Sequence, residues 1–154
     1  MTPTYLEAIP LNYRKYWDTG PDLIVFYGLF GSGKNWCSFA RSIVNDFQIW
    51  MHDARNNGES PHPETMSYKE MAEDVVCFLD NNGLERIMLL GHSMGGNTAM
   101  QVALRFPERV SWEQCQDAKK LWTLAACWTA RIFSKTVPAF LQQNGLLWII
   151  WTTA

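Results

Sequence analysis

Histidine is scarce in this chain of 154 residues: there are three, at positions 52, 62 and 92, and none follows His92. An excess of charge of one sign is missing too. Thirteen Lys and Arg stand against fifteen Asp and Glu, a net charge of −2, so no basic stripe is available to hold phosphate backbones and nucleic-acid binding has no electrostatic support. The four cysteines, Cys37, Cys77, Cys115 and Cys127, show neither C-x-x-C spacing nor the density of a secreted disulfide scaffold. A reducing compartment is the expected setting, the cytoplasm first, with the mitochondrion left open. The first residues, Met1 to Glu7, lack a basic stretch followed by an apolar one, and no apolar run approaches the length of a membrane span. Neither export nor membrane insertion is expected. Repeats and low-complexity tracts are absent as well.

What is present is a core. With 47% hydrophobic residues and balanced charge, the chain has enough apolar material for one globular domain. Leu11 to Trp17 reads as a first strand. Turn residues Thr19-Gly20-Pro21-Asp22 lead into Leu23 to Tyr27, an unbroken apolar run expected to be a buried central strand. Trp36 to Val44 reads as a helix and Phe47 to Met51 as a strand. Ser67-Tyr68-Lys69-Glu70 is a capping box that opens a helix to about Asp80, with Met71, Val75, Phe78 and Leu79 on one face. Ile87 to Leu90 is the next strand, and Gly95 to Phe106 the next helix, stopped by Pro107. Strand alternating with helix predicts an α/β fold, a mostly parallel sheet covered on both faces.

The composition shifts near Val110. Five of the eight tryptophans fall in residues 111–154, so the chain divides into 1–110 and a divergent Trp-rich tail, 111–154. In that tail Leu121, Leu124, Ala125, Trp128 and Ile132 share one helical face, and Leu146 to Trp151 reads as a short strand. Either segment could shield a sheet edge. Left bare, that edge would invite association with another chain.

The pentapeptide Gly91-His92-Ser93-Met94-Gly95 lies between an expected strand and an expected helix, where a serine nucleophile elbow belongs. A serine on so tight a turn needs small residues two places before and after it, and Gly91 and Gly95 supply them. The catalytic candidate is therefore Ser93. Two donors should receive the oxyanion: the backbone N–H of Met94, and that of Leu29 in the glycine loop Tyr27-Gly28-Leu29-Phe30-Gly31. No cofactor and no metal are implied. In this motif's usual chain order the acid and histidine follow the serine, and here no histidine does.

Four blocks in order carry a family resemblance. Gly28-Leu29-Phe30-Gly31-Ser32, Asp53-Ala54-Arg55-Asn56-Asn57-Gly58-Glu59-Ser60-Pro61-His62, Met66-Ser67-Tyr68 and Gly91-His92-Ser93-Met94-Gly95-Gly96 resemble the abhydrolase-domain esterases of the α/β-hydrolase superfamily. The likeness runs from about Leu11 to Val110. It implies a partial α/β-hydrolase fold whose sheet ends near the Ser93 strand, followed by an unrelated or frame-shifted tail in place of the family's acid, cap and histidine. It also implies hydrolysis of a small-molecule carboxylic ester or thioester, weak or absent in a chain without those groups. Tyr27 and Asn57 stand where the family usually has histidine, which would loosen the loops around Ser93. Asp53, Arg55 and Asn56 are expected to hold their loop in shape by hydrogen bonds.

Three remaining features have plainer readings. Asp117 is the one aspartate after Ser93, but it follows a polar stretch where a central parallel strand must be apolar. His52, His62 and His92 are expected to be structural or solvated, the first two on loops. Gly28 to Asn35 matches a phosphate-binding loop except at its last position, where Asn35 lacks the hydroxyl that would ligate Mg²⁺. Beside the esterase reading stand two alternatives: a non-catalytic remnant or pseudoenzyme that binds a partner, and, more remotely, a nucleotide binder. A histidine supplied in trans by a partner has no support in the residues.

Overall fold

A computed structural model describes residues 7–29, 37, 40–41, 45, 47–111 and 148–150, the last three as backbone alone. Among these, five strands form one sheet: β1 (Tyr13–Tyr16), β2 (Asp22–Phe26), β3 (Gln48–His52), β4 (Met88–His92) and β5 (Trp148–Ile150). They lie side by side in the order β1-β3-β2-β4-β5. Helices α1 (Tyr68–Asn81) and α2 (Met94–Arg105) and a 3₁₀ turn at Pro107–Arg109 accompany them.

The unbroken apolar runs go to the centre because both faces of the sheet are buried. On one face, Leu23 and Val25 of β2 cluster with Ile49, Met51, Met88 and Leu90, covered by Phe47 and by Ala40 in helical backbone. On the other, Ile24, Phe26, Trp50 and Leu89 meet Ala72, Val75, Phe78 and Leu79 of α1 and Ala99, Val102 and Ala103 of α2. Each of these larger aliphatic side chains contributes roughly 1.5–3 kcal/mol by leaving water. The expected α/β sheet, covered on both faces, is therefore present.

β2 pairs in parallel with β3 and β4, and β4 with β5, but β1 runs antiparallel to β3. The link from β1 to β2 explains the reversal. It is too short for the crossover that parallel strands need, and it turns sharply through Trp17 and Gly20, both at positive φ. β1 alternates exposed and half-buried residues, as an edge strand does, and Arg14 and Lys15 discourage further pairing there.

Helix α1 starts where its capping box predicts. Ser67 Oγ accepts the Glu70 N–H at 3.2 Å, and Glu70 Oε2 accepts the Ser67 N–H at 2.7 Å. Its apolar face then packs on α2 and the sheet. The expected strand before Ser93 extends further than its apolar residues suggest: β4 continues through Gly91 and His92 because Gly91 still pairs with Phe26.

The sheet does not end at the Ser93 strand. The run read as a short strand at 146–151 supplies β5, which pairs Leu90 with Trp148 and His92 with Ile150. Lower on the same edge of β4, Ile87 bridges Val110 in parallel, with the Ile87 N–H on Arg109 O at 3.0 Å and the Ser111 N–H on Ile87 O at 3.0 Å. Two separate segments thus share one edge of β4. The helical face read at 121–132 lies outside the described residues. No described helix is long and apolar enough to cross a membrane.

Candidate active site

Ser93 sits between β4 and α2 with φ 54° and ψ −120°, backbone that a non-glycine residue adopts at a cost of about 1–3 kcal/mol. The flanking glycines are what make this possible. A Cβ on Gly95 would lie 2.5 Å from the carbonyl of Phe26, and one on Gly91 would lie 2.7 Å from Gly95 O and from Gly96 Cα. The first turn of α2 therefore rests directly on the end of β2. Any side chain at these two positions would lever Ser93 away from the sheet.

The glycine loop after β2 arrives at the same place. A Cβ on Gly28 would stand 3.3 Å from Ser93 Cβ and 3.1 Å from His92 Nδ1, a tight contact that either side chain would have to yield to. Ser93 makes no side-chain capping bond to its helix, and it is half-buried. Its carbonyl accepts the Gly96 N–H at 2.9 Å and the Asn97 N–H at 3.2 Å. The N–H of Met94 belongs to the four helix-start amides that have no acceptor within the helix, and such amides attract negative charge. Leu29, next to Gly28, is 58% exposed. The structure thus brings Ser93, with Met94 next to it, against Gly28, which Leu29 follows in the chain.

The histidines are placed differently from one another. His92, the last residue of β4, lies with its ring against Gly28, and burial pushes it below the usual histidine range. His62 is exposed. His52 is not on a loop, as its neighbours suggested, but ends β3 at 2% exposure, and burial lowers its pKa to about 4. Its Nδ1 is buried and has no hydrogen-bond partner among the described residues. Asp117 lies outside the described residues, as do Phe30, Gly31 and the rest of the phosphate-loop match through Asn35.

The loop after β3 is held by polar contacts throughout. Asp53 accepts Asn12 Nδ2 at 2.9 Å and the Glu59 N–H at 3.0 Å, and it lies so close to Gly58 that a Cβ there would fall 2.4 Å from its carboxylate. Arg55, only 1% exposed, donates twice to Asp74 at 2.7 Å, meets Glu70 at 3.0 Å and reaches the Glu7 carbonyl at 3.0 Å. The Asp74 hydrogen bonds raise the guanidinium above its usual value. Glu70 is held down to about 2, first by the Ser67 hydrogen bond and then by that of Thr65. Asn56 contributes through its backbone, at φ 61°, with its N–H on Pro61 O at 3.1 Å. The shaping role expected of Asp53 and Arg55 is what their bonds show.

The loosening expected from Tyr27 and Asn57 does not occur. Tyr27 is buried and its Oη accepts the Ala54 N–H at 2.6 Å, which stitches the loop after β2 to the loop after β3. Burial raises its phenol well above the usual range. Asn57 is also buried and donates to Arg55 O at 2.9 Å. A larger or different polar side chain found a partner of its own in each case. Sequence reading missed Asp74, although a carboxylate between Met71, Val75 and Phe78 on an apolar helix face is a sign of a buried cation nearby.

Comparisons with known proteins agree with this arrangement. Residues 21–112 match the family model described as the alpha/beta hydrolase fold. The sn-1-specific diacylglycerol lipase ABHD11 of Xenopus tropicalis is 45% identical over 108 residues, covering 68% of this chain and 34% of that protein. A putative esterase/lipase of Haemophilus influenzae is 43% identical over 104 residues, covering 65% of this chain and 36% of its own length. Among solved structures, a marine microorganism esterase superposes with a TM-score of 0.67 at 35% identity, over 84% of this chain and 55% of that one. The chain spans about a third of the length of these two curated relatives. On its fold, its motifs and these matches, the chain belongs to the α/β-hydrolase fold family, among the abhydrolase-domain esterases.

Proposed function

We propose that Ser93 is the nucleophile of a carboxylic ester or thioester hydrolase site, with the N–H groups of Leu29 and Met94 as its oxyanion donors. The observation that carries this reading is the strained backbone of Ser93 between two glycines that tolerate no Cβ. Strain of this kind persists where surrounding structure enforces it, and a serine so placed presents its hydroxyl at the top of the sheet. Attack by Ser93 Oγ on the substrate carbonyl would form the acyl-enzyme, with the oxyanion between the two amides, and water would then release the acid.

The hydroxyl needs a base to lose its proton, and none of the three histidines is suited to that role in this structure. His52 is buried beneath the site, His62 is exposed on a loop, and His92 lies against Gly28. Oxyanion donors and binding alone leave on the order of 10³-fold over water in triad-deleted enzymes. We therefore assign the 154-residue chain weak ester cleavage, carried by the oxyanion donors and by the unassisted hydroxyl of Ser93. The match ending at residue 112 supports reading 1–110 as the N-terminal part of a hydrolase domain and 111–154 as a distinct tail.

Hydrolysis of p-nitrophenyl acetate and butyrate, run beside Ser93→Ala with fluorophosphonate labelling, tests both parts. Slow cleavage that drops in Ser93→Ala, without reaching the buffer rate because the oxyanion donors remain, is expected. Fast turnover with labelling lost in the variant would show that a working base exists. Equal rates in both proteins would remove Ser93 as nucleophile and favour the partner-binding pseudoenzyme. The chemistry is that of a small-molecule ester substrate and calls on no cofactor.

A further inference from the structure

Beneath the Ser93 turn is a small cavity of about 10 Å³, lined by Phe26, Tyr27, His52, Ala54, Met94 and Thr98 among others. That is the space of a single water molecule. Buried histidine nitrogens are almost always hydrogen-bonded, and leaving one unpaired costs about 1–3 kcal/mol. His52 Nδ1 is buried, has no hydrogen-bond partner among the described residues and belongs to a ring in the wall of this cavity. Tyr27, in the same wall, uses an oxygen lone pair to accept the Ala54 N–H at 2.6 Å, which leaves its own proton to be donated. The rings of Tyr27 and His52 are neighbours, with centroids 6.2 Å apart.

We infer that one ordered water occupies this cavity, accepting the Tyr27 hydroxyl proton and hydrogen-bonding His52 Nδ1. The site has the two polar partners that a buried water requires, and its volume of about 10 Å³ suits one molecule. Phe26, Met71 and Met94 are apolar, and the Thr98 hydroxyl already has the Met94 carbonyl at 3.2 Å as an acceptor. His52 is in its neutral form at neutral pH, so one ring nitrogen accepts and the other donates; the water can both accept and donate, and it satisfies Nδ1 in either tautomer. The consequence is a continuous link from the Ala54 amide through Tyr27 and the water to the end of β3. Tyr27 immediately precedes Gly28, so the water is a positioning element for the loop beside Ser93, whatever chemistry that serine performs.

A crystal structure of the full chain at a resolution that shows ordered water is the direct test, with magnetisation transfer from bulk water to the Tyr27 hydroxyl and His52 ring protons as its solution counterpart. Electron density within hydrogen-bonding distance of both Tyr27 Oη and His52 Nδ1, and transfer to both residues, are expected. In Tyr27→Phe the density should vanish or move, and the His52 Nδ1 resonance should shift. An empty cavity, or a His52 ring turned so that Nδ1 bonds a protein atom directly, would overturn the inference. The wild-type measurements decide the matter even if the variant does not fold.

Discussion

The loops that leave β3 and β4 solve the same problem by opposite means. After β3, residues 53–60 hold their shape with side chains: Asp53, Arg55, Asn57 and Ser60 each make hydrogen bonds within the loop or to its surroundings. After β4, the turn at Ser93 holds its shape by the absence of side chains, with Gly91 and Gly95 in backbone contact and Gly28 pressed against the serine. The first loop has its polar groups committed to the protein. The second leaves a serine hydroxyl outside any helix cap and stores strain in its backbone. A site for chemistry needs the second arrangement, and the first is what keeps it in place.

If the loop after β3 depends on polar partners, removing one should do the most damage. Asp74→Ala would leave Arg55 buried with its main counter-ion gone, and a loss of about 3–5 kcal/mol is expected in urea or thermal unfolding. A loss below about 1 kcal/mol would mean that Glu70 carries the pair by itself. Crowding should be the weakness at Ser93 instead. Gly95→Ala brings a methyl to 2.5 Å from the Phe26 backbone and is expected to cost about 3 kcal/mol, read as a lower urea midpoint with unchanged slope.

His52 separates the two regions by pH. Its folded pKa of about 4 lies below the unfolded value of 6.5, so the unfolded chain takes up the proton first. Stability is therefore intact above pH 6.5 and declines as pH falls toward 4, by up to on the order of 3 kcal/mol. Unfolding measured between these limits should fall less steeply in His52→Leu than in the wild type; parallel curves would show that His52 is not the group responsible. The smallest effect expected has the opposite sign. Ser93→Gly relieves the positive φ and should stabilise the chain by about 1 kcal/mol, an increase that Ser67→Ala, which loses a helix cap, would not give.

Local features of this fold are legible in the residues alone. Two apolar runs form β2 and β3, the run Ile87 to Leu90 forms most of β4, the capping box places α1, and the glycine spacing marks the Ser93 turn, because each depends on residues close together in the chain. Pairings between distant residues are not legible. The antiparallel β1 follows from a short link whose direction no pattern states, and of the two residues read as strand before it Leu11 instead enters the core, while the Asn12 N–H donates to Ser60 Oγ at 2.8 Å. Tyr27 and His52 stand 25 positions apart, and nothing in either segment announces that they line one cavity.

The divided edge of β4 has a consequence for how the chain is made. Ile87 and Val110 can pair as soon as a short stretch has been synthesised, whereas Leu90 to His92 must wait for residues 148–150. During that interval the lower part of the strand is closed and the upper part, next to Ser93, is an open ladder of amides and carbonyls. Closing it means drawing together two points separated by almost 60 residues, a slow event compared with forming α1 or α2. Until then a second nascent copy can pair with the same three residues, so the order of synthesis makes dilution or a chaperone most valuable at the moment when the helices are already folded.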